Sequence, residues 1–290
     1  MERLRVLVEV QSAGSIAQAA PGDPVRQSQY SRQLRELSEF FGCEVAQRKG
    51  KTLRLTERGA RLAELARGQL NALTDFHADC HAEAKMFSIA AGDSLVQWLV
   101  IPRLGTLLSR LLDVQFSTFN LRTHDIVSQI TDGRSDFGLL RKNAVPEGLK
   151  STSLGKLNYV LIAPRRICPH KKAITLAEAL SALPLAMQTT DGQFTSHLRD
   201  IAKTLGARYQ PVLCCQSFPQ TMSAVRSGYY AAVVPANAAI ELDTSEYQVV
   251  EDAALKPLAR DIHLVWHPRL PKVRSGAALT LNELQKAFRF

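Results

Sequence analysis

One stretch divides this chain before any other feature is weighed. Residues 57–85 contain no proline and are rich in alanine, leucine and charged side chains. Leu62, Ala66, Gln69, Leu73, Phe76 and Cys80 recur there at alternating steps of three and four. That spacing predicts a single long helix with a coiled-coil seam and one polar layer at Gln69. A long helix with such a seam suits pairing between two chains better than burial inside one. Residues 59–85 are therefore expected to be a linker and dimerisation helix, separating a unit at 1–58 from a larger one at 86–290.

The first unit reads as short helices followed by a hairpin. Leu4, Leu7 and Val8 repeat at helical spacing, and Ser12-Ala13-Gly14-Ser15 is a break. Ser15 is placed to cap a helix over 16–20. Pro21-Gly22-Asp23-Pro24 makes a turn. A third helix is expected over 26–41, with Tyr30, Leu34, Leu37 and Phe41 on its buried face and Gly42 as its stop. Lys49-Gly50-Lys51 turns a hairpin entered at Val45 and left through Leu53 and Leu55. Two helices and a tight turn followed by a wing suit duplex DNA, with the second helix in the major groove. Arg26, Gln27, Ser28 and Gln29 open that helix; Gln pairs bidentately with adenine and Arg with guanine. Ser31, Arg32 and Arg35 suit phosphate oxygens, as does Ser15 at the helix start. Arg48, Lys49, Lys51 and Arg54 form the basic wing.

Net charge alone does not carry this reading. The chain has 36 Lys+Arg against 27 Asp+Glu, a formal charge of +9. Only 13 of the basic and 11 of the acidic residues fall within 1–85, so most of the excess lies elsewhere. What distinguishes the N-terminal unit is the local cluster Arg48–Arg54.

The run Gly14-Ser15-Ile16-Ala17-Gln18-Ala19-Ala20, then Gln27, Ser31-Arg32-Gln33-Leu34, Leu37, Gly42, Arg48, and Leu55-Thr56-x-x-Gly59, resembles the N-terminal domain of LysR-type transcriptional regulators. The spacing from Ala19-Ala20 to Ser31 matches without insertion. Three positions depart from the family: the Pro21–Pro24 segment, Ser28-Gln29 where proline and a small residue are common, and Ala46 in place of phenylalanine. The resemblance implies an α/β multidomain fold. Its parts are an N-terminal winged helix-turn-helix, a long linker helix and a two-lobed α/β effector-binding domain of periplasmic-binding-protein type. Lobe 1 is expected at about 86–160 and 265–290, and lobe 2 at about 161–264, with crossovers near 159–163 and 263–266.

The alternation of strand and helix patterns over 86–290 agrees with an α/β domain. Strands are expected at 87–91, 114–121, 136–140, 159–163, 185–188, 212–216, 231–234 and 263–267. Helices are expected at 95–111, 124–131, 220–226 and 280–288. Ligands of open α/β sheets lie beyond strand ends, often at helix N-termini. By this placement Asp93 and Ser94 are candidate effector contacts; the family resemblance implies Thr123, Arg141, Thr189, Thr190 and Phe218 as further ones. For Asp93 or Ser94 the competing role is an N-cap.

Five cysteines without a Cys-x-x-Cys pair argue against a disulfide framework. Cys214-Cys215 is expected to be buried in an apolar strand. His77 and His81 share a helix face, but neither a metal nor another cofactor is expected. No apolar run reaches the ~20 residues of a membrane span, and a cytoplasmic, nucleoid-associated protein is expected. The expected partners are duplex DNA, a small-molecule effector, RNA polymerase, and further copies of the chain in a homodimer or homotetramer. The alternatives are a small-molecule-binding protein without a DNA role and an enzyme. Against the enzyme, the sequence has no metal-ligand quartet, Gly-x-Ser-x-Gly, phosphate loop or convincing acid–base pair.

Overall fold

Helices α1 (Glu2–Ala13), α2 (Ile16–Ala19) and α3 (Pro24–Phe41) close around Leu7, Val10, Ile16, Tyr30, Leu34 and Leu37. This is seen in a computed structural model that describes residues 1–50, 52–168, 173–189, 191–240 and 242–290. Helix α2 is a single turn, capped by the Ser15 hydroxyl, which accepts the Gln18 N–H at 3.2 Å. The Pro21–Pro24 segment begins α3 instead of delaying it. Asp23 Oδ1 accepts the Arg26 N–H at 2.9 Å. Pro24 sits in the first turn, where a missing N–H costs nothing. The helix thus starts two residues before the expected Arg26. Asp23→Ala should lower the stability of this unit by about 1 kcal/mol. Thermal unfolding checks it; an unchanged midpoint would show the cap to be idle.

Phe41 departs from the expected stripe. It is exposed together with Phe40, the two rings meeting edge-on at 4.9 Å. The core ends at Leu37, and Gly42 (φ 64°) terminates the helix just beyond. Strands β1 (Ala46–Lys49) and β2 (Thr52–Leu55) then form the antiparallel hairpin.

Helix α4 (Glu57–His81) is capped by Thr56, whose Oγ1 accepts the Gly59 N–H at 3.0 Å. It ends at His81, four residues before 85, with Ala82 behind it in the left-handed region. The face packed on its own chain is a second one, and most of the seam expected to pair two chains lies outside it. Small residues (Gly59, Ala63, Ala66, Ala78) and Asp75 face inward, while Gln69, Leu73, Phe76 and Cys80 are exposed. Small side chains let α4 lie close to the rest of its own chain, which leaves the large ones outside.

Lobe 1 is a five-stranded sheet of order β4-β3-β5-β12-β6, built from β3 (Lys85–Ala91), β4 (Val114–Asn120), β5 (Phe137–Arg141), β6 (Lys150–Leu157) and β12 (Arg260–Trp266). Strands β3, β4 and β5 are parallel, whereas β12 runs antiparallel to β5 and β6. The expected helix over 95–111 is broken into α5 (Asp93–Leu95), a π-turn (Val96–Val100) and α6 (Ile101–Leu108). Pro102 explains the wide turn. Its ring would strike the carbonyl four residues back and it has no N–H to donate. The turn carries Trp98 out of lobe 1 into an apolar cluster with Val160, Ile162, Met222 and Val225 of lobe 2. Helices α7 (Thr123–Thr131), α11 (Leu270–Val273) and α12 (Ala277–Ala287) complete the lobe.

Lobe 2 contains β7 (Tyr159–Pro164), α8 (Leu176–Ala182), β8 (Leu185–Gln188), α9 (Gly192–Thr204), β9 (Pro211–Cys215), α10 (Phe218–Arg226), β10 (Ala232–Pro235) and β11 (Tyr247–Val250). Its strands pair as β10-β7-β11 and as β8-β9, and a bridge between Leu185 and Ala231 joins the two sets. The chain passes between lobes at Asn158 and again over 251–259. Strand β12 is therefore already in the first sheet at Arg260, ahead of the expected 265, and 159–163 belongs wholly to lobe 2. Strands β6 and β11 and helices α8, α9 and α11 lie outside the sequence expectation. Cys214 is exposed and only Cys215 is buried, because successive strand residues face opposite sides.

A buried charge cluster bolts α4 to lobe 1. Arg274, between α11 and α12, donates from Nε and Nη2 to the two oxygens of Asp75 at 2.9 and 2.6 Å. Its Nη1 donates to Asp136 at 2.9 Å, and its plane lies 4.5 Å from the Phe87 ring centroid. Asp136 also accepts the N–H and the hydroxyl of Ser88, both at 2.8 Å. Higher on the helix, Glu64 pairs with His267 at 3.3 Å. Desolvation pushes the His267 imidazole below its ordinary pKa, against the pull of Glu64.

Candidate DNA interface and inter-lobe cleft

The leading end of α3 presents two kinds of side chain. Arg26 and Gln27 are engaged within the fold. Arg26 donates to Tyr30 Oη at 2.7 Å and to Glu9 at 2.9 Å, while Tyr30 donates to Glu9 at 2.5 Å. This network ties α3 to α1. Burial, with Glu9 beside it, raises the Tyr30 phenol above its ordinary pKa. Gln27 donates to the Ala20 carbonyl at 2.7 Å and so closes the end of α2. Ser15 is buried in its capping role.

Ser28, Gln29, Arg32 and Arg35 remain exposed along one side of α3, and Ser31 is half-buried. Arg32 shares Glu36 with Arg3, at 3.5 and 2.5 Å. In the hairpin, Gln47 stands opposite Arg54 and Lys49 opposite Thr52, on one face, while Arg48 stands opposite Leu53 on the other. Gln47 was not anticipated. Its position two residues before Lys49, on the same side of a strand, is the signal that would have found it. Lys51 lies outside the described residues.

Between the lobes, Arg141 at the end of β5 pairs with Asp191, the N-cap of α9. This ion pair crosses from lobe 1 to lobe 2. Burial works against ionisation of Asp191. The Phe194 N–H, Arg141 and the nearby Arg260 outweigh it and hold the carboxyl below its ordinary pKa. Phe218 packs with Tyr159 and Phe194, at ring-centroid distances of 5.8 and 5.1 Å. Desolvation pushes the Tyr159 phenol up to about 12. Gly92, not Asp93 or Ser94, caps α5, and neither side chain makes a capping bond. Thr189 donates to the Cys215 carbonyl at 3.1 Å, and Thr123 is exposed at the start of α7. Thr190 lies outside the described residues. The sequence singled out Arg141 and Phe218 but not their partners Asp191, Phe194 and Arg260. Elsewhere, the His77 and His81 rings stack at 4.2 Å. Among the described residues no group of three or more metal-ligating side chains converges, and no helix is long and apolar enough to cross a membrane.

A winged helix-turn-helix fixed to a two-lobed α/β domain defines a class of ligand-responsive DNA-binding proteins. The model of the LysR substrate binding domain matches residues 81–284, and that of the bacterial regulatory helix-turn-helix protein, lysR family, matches residues 1–60. The chain belongs to the LysR family and is a DNA-binding regulator with an effector-binding domain. No curated protein sequence matches it significantly. Solved structures similar to it include full-length OxyR from Pseudomonas aeruginosa, at 17% identity and TM-score 0.66, covering 99% of this chain and 94% of that one. Full-length CbnR complexed with its target DNA is 18% identical with TM-score 0.55, covering 99% of each chain. LysG from Corynebacterium glutamicum with bound effector Arg is 15% identical with TM-score 0.66, covering 99% and 96%. These likenesses show a shared fold.

Proposed function

We propose that α3 enters the major groove with Gln29 and Ser28 toward the bases. Arg32, Arg35 and the hairpin cations Arg48, Lys49 and Arg54 lie along phosphates. The observation that carries this reading is the exposed side of α3 formed by Ser28, Gln29, Arg32 and Arg35, presented outward while Arg26, Gln27 and Ser15 hold the fold together. The CbnR complex with its target DNA supports it. A small molecule between the lobes shifts the balance of two conformations and so the grip on DNA, which requires that it bind them unequally. The exposed seam of α4, with Leu73 and Phe76, pairs two copies, and the assembly works in the cytoplasm at the nucleoid beside RNA polymerase. Catalysis has no place in this scheme.

Mobility shifts against selected and scrambled duplexes over a salt series test the interface. Gln29→Ala should relax base preference by about 1–3 kcal/mol with nonspecific affinity kept. Arg35→Ala should weaken all duplexes alike and reduce the salt slope by about one. A uniform loss for Gln29→Ala would take that side chain off the bases. If the parent chain prefers no sequence at any salt, the DNA reading fails.

A further inference from the structure

Among the described residues the charges gathered between the lobes do not balance. Arg141 and Arg260 bring two guanidiniums, and Asp191 brings one carboxylate. Arg260 opens β12, where the chain returns to lobe 1, and it stands within electrostatic reach of Asp191 and Tyr159. Its Nε and Nη2 are buried without a hydrogen-bond partner among the described residues. A guanidinium presents a fork of donors that matches a carboxylate, and leaving such buried donors unmet costs stability. The site therefore has more anion-binding capacity than its own carboxylate fills. Beside it, Phe218 is half-buried and leans on Tyr159 and Phe194, which offers an apolar wall.

Asp191 reaches Arg141 from the other lobe. In doing so it occupies the place where an incoming anion would be held. We propose that Asp191 is a built-in stand-in for the effector, which is an organic carboxylate that displaces it from Arg141 and meets the unpartnered donors of Arg260. The inference rests on reading the cleft as the effector site. Its consequence is competition: the internal carboxylate weakens binding of the external one, and exchange between them breaks the only described ion pair that spans the two lobes.

Asp191→Asn separates charge from structure. Asparagine still caps α9, since Asn and Asp cap about equally well, but it no longer neutralises Arg141. Calorimetric titration of the full-length chain with benzoate should show at least about tenfold tighter binding for Asp191→Asn than for the parent, a gain that Arg260→Gln added to Asp191→Asn removes. Benzamide, the uncharged isostere, should not bind either form. Equal benzoate affinity in parent and Asp191→Asn overturns the proposal. So does a gain that survives Arg260→Gln, or equal binding of benzamide. Binding of sulfate in preference to benzoate overturns the organic part of the assignment. Mobility shifts on a selected duplex, run with and without benzoate, keep the two readings apart. Competition without any change in DNA binding sinks control by the cleft and leaves the stand-in intact.

Discussion

Gly59→Ala should cost the N-terminal unit about 3 kcal/mol or more, the upper end for forcing extra volume into a filled site, and abolish DNA binding near physiological temperature. A methyl group built at Gly59 lies 1.8 Å from the Val45 carbonyl oxygen and 2.8 Å from its carbon. No rotamer relieves this, because both partners are backbone. Val45 is not free to retreat. Its carbonyl accepts the Thr56 N–H at 3.0 Å, its N–H donates to Ser38 Oγ at 3.1 Å, and its side chain is fully buried. Helix α4 must lift instead, exposing Ala63. A unit of this size has only about 3–9 kcal/mol of stability at 0.05–0.15 kcal/mol per residue. Scanning calorimetry should show its transition lowered by roughly 10 °C or more, with the two-lobed domain unaffected. Retained DNA affinity and an unmoved transition would refute the close approach.

The second large effect concerns Arg274→Met. Methionine approximates the length of the arginine stem, so little volume is lost. Asp75 and Asp136 are left facing each other in the interior without their cation. Removing one member of a buried pair costs about 3–5 kcal/mol, mostly because the remaining charge is stranded. The cation–π contact with Phe87 goes as well. Urea unfolding should show the midpoint falling accordingly, and limited proteolysis should find new cleavage between α4 and β3. Arg274→Lys should rescue only part of the loss, since a point charge cannot serve both oxygens of Asp75 and also Asp136. A change below about 1 kcal/mol in the methionine variant would mean that the cluster does not hold the joint.

Much of this architecture is written locally. The stripe Tyr30, Leu34 and Leu37 is buried as its period demands, and the Gly59 of the sequence pattern proves to be a position where no side chain fits. Strand β6 was illegible for a physical reason. It is an edge strand that buries only Leu154 and Leu157, so its polar sequence shows no alternation. Helix α9 was readable in principle, since Phe194, Leu198 and Ile201 recur at helical spacing. Helix α4 carries two apolar faces: the large one was legible as a seam between chains, while the face of small residues that packs on its own chain gave too weak a hydrophobic signal to be read. Arg26 and Gln27 show the same limit at the site. The chemistry that reads a base also caps a helix or meets a carboxylate. The Asp75–Arg274–Asp136 cluster joins residues 199 apart, and nothing near either end announces it.

That cluster has a mechanical consequence. Helix α4 is held to lobe 1 at two points, Glu64 and Asp75, so its direction is fixed as well as its position. Between those two points Arg67 donates to the Val8 carbonyl and the Ser12 hydroxyl of α1, clamping the DNA-reading unit to the same shaft. From Asp75 to Glu57 the shaft is about 27 Å long at ~1.5 Å per residue. Tilting lobe 1 by about 7° would swing the far end by roughly 3 Å, close to the ~3.4 Å rise of one base step. On the reading proposed above, α4 being one continuous helix along this path, an event in the cleft would reach DNA as a turn of the whole frame, and a small angle would suffice to lose register.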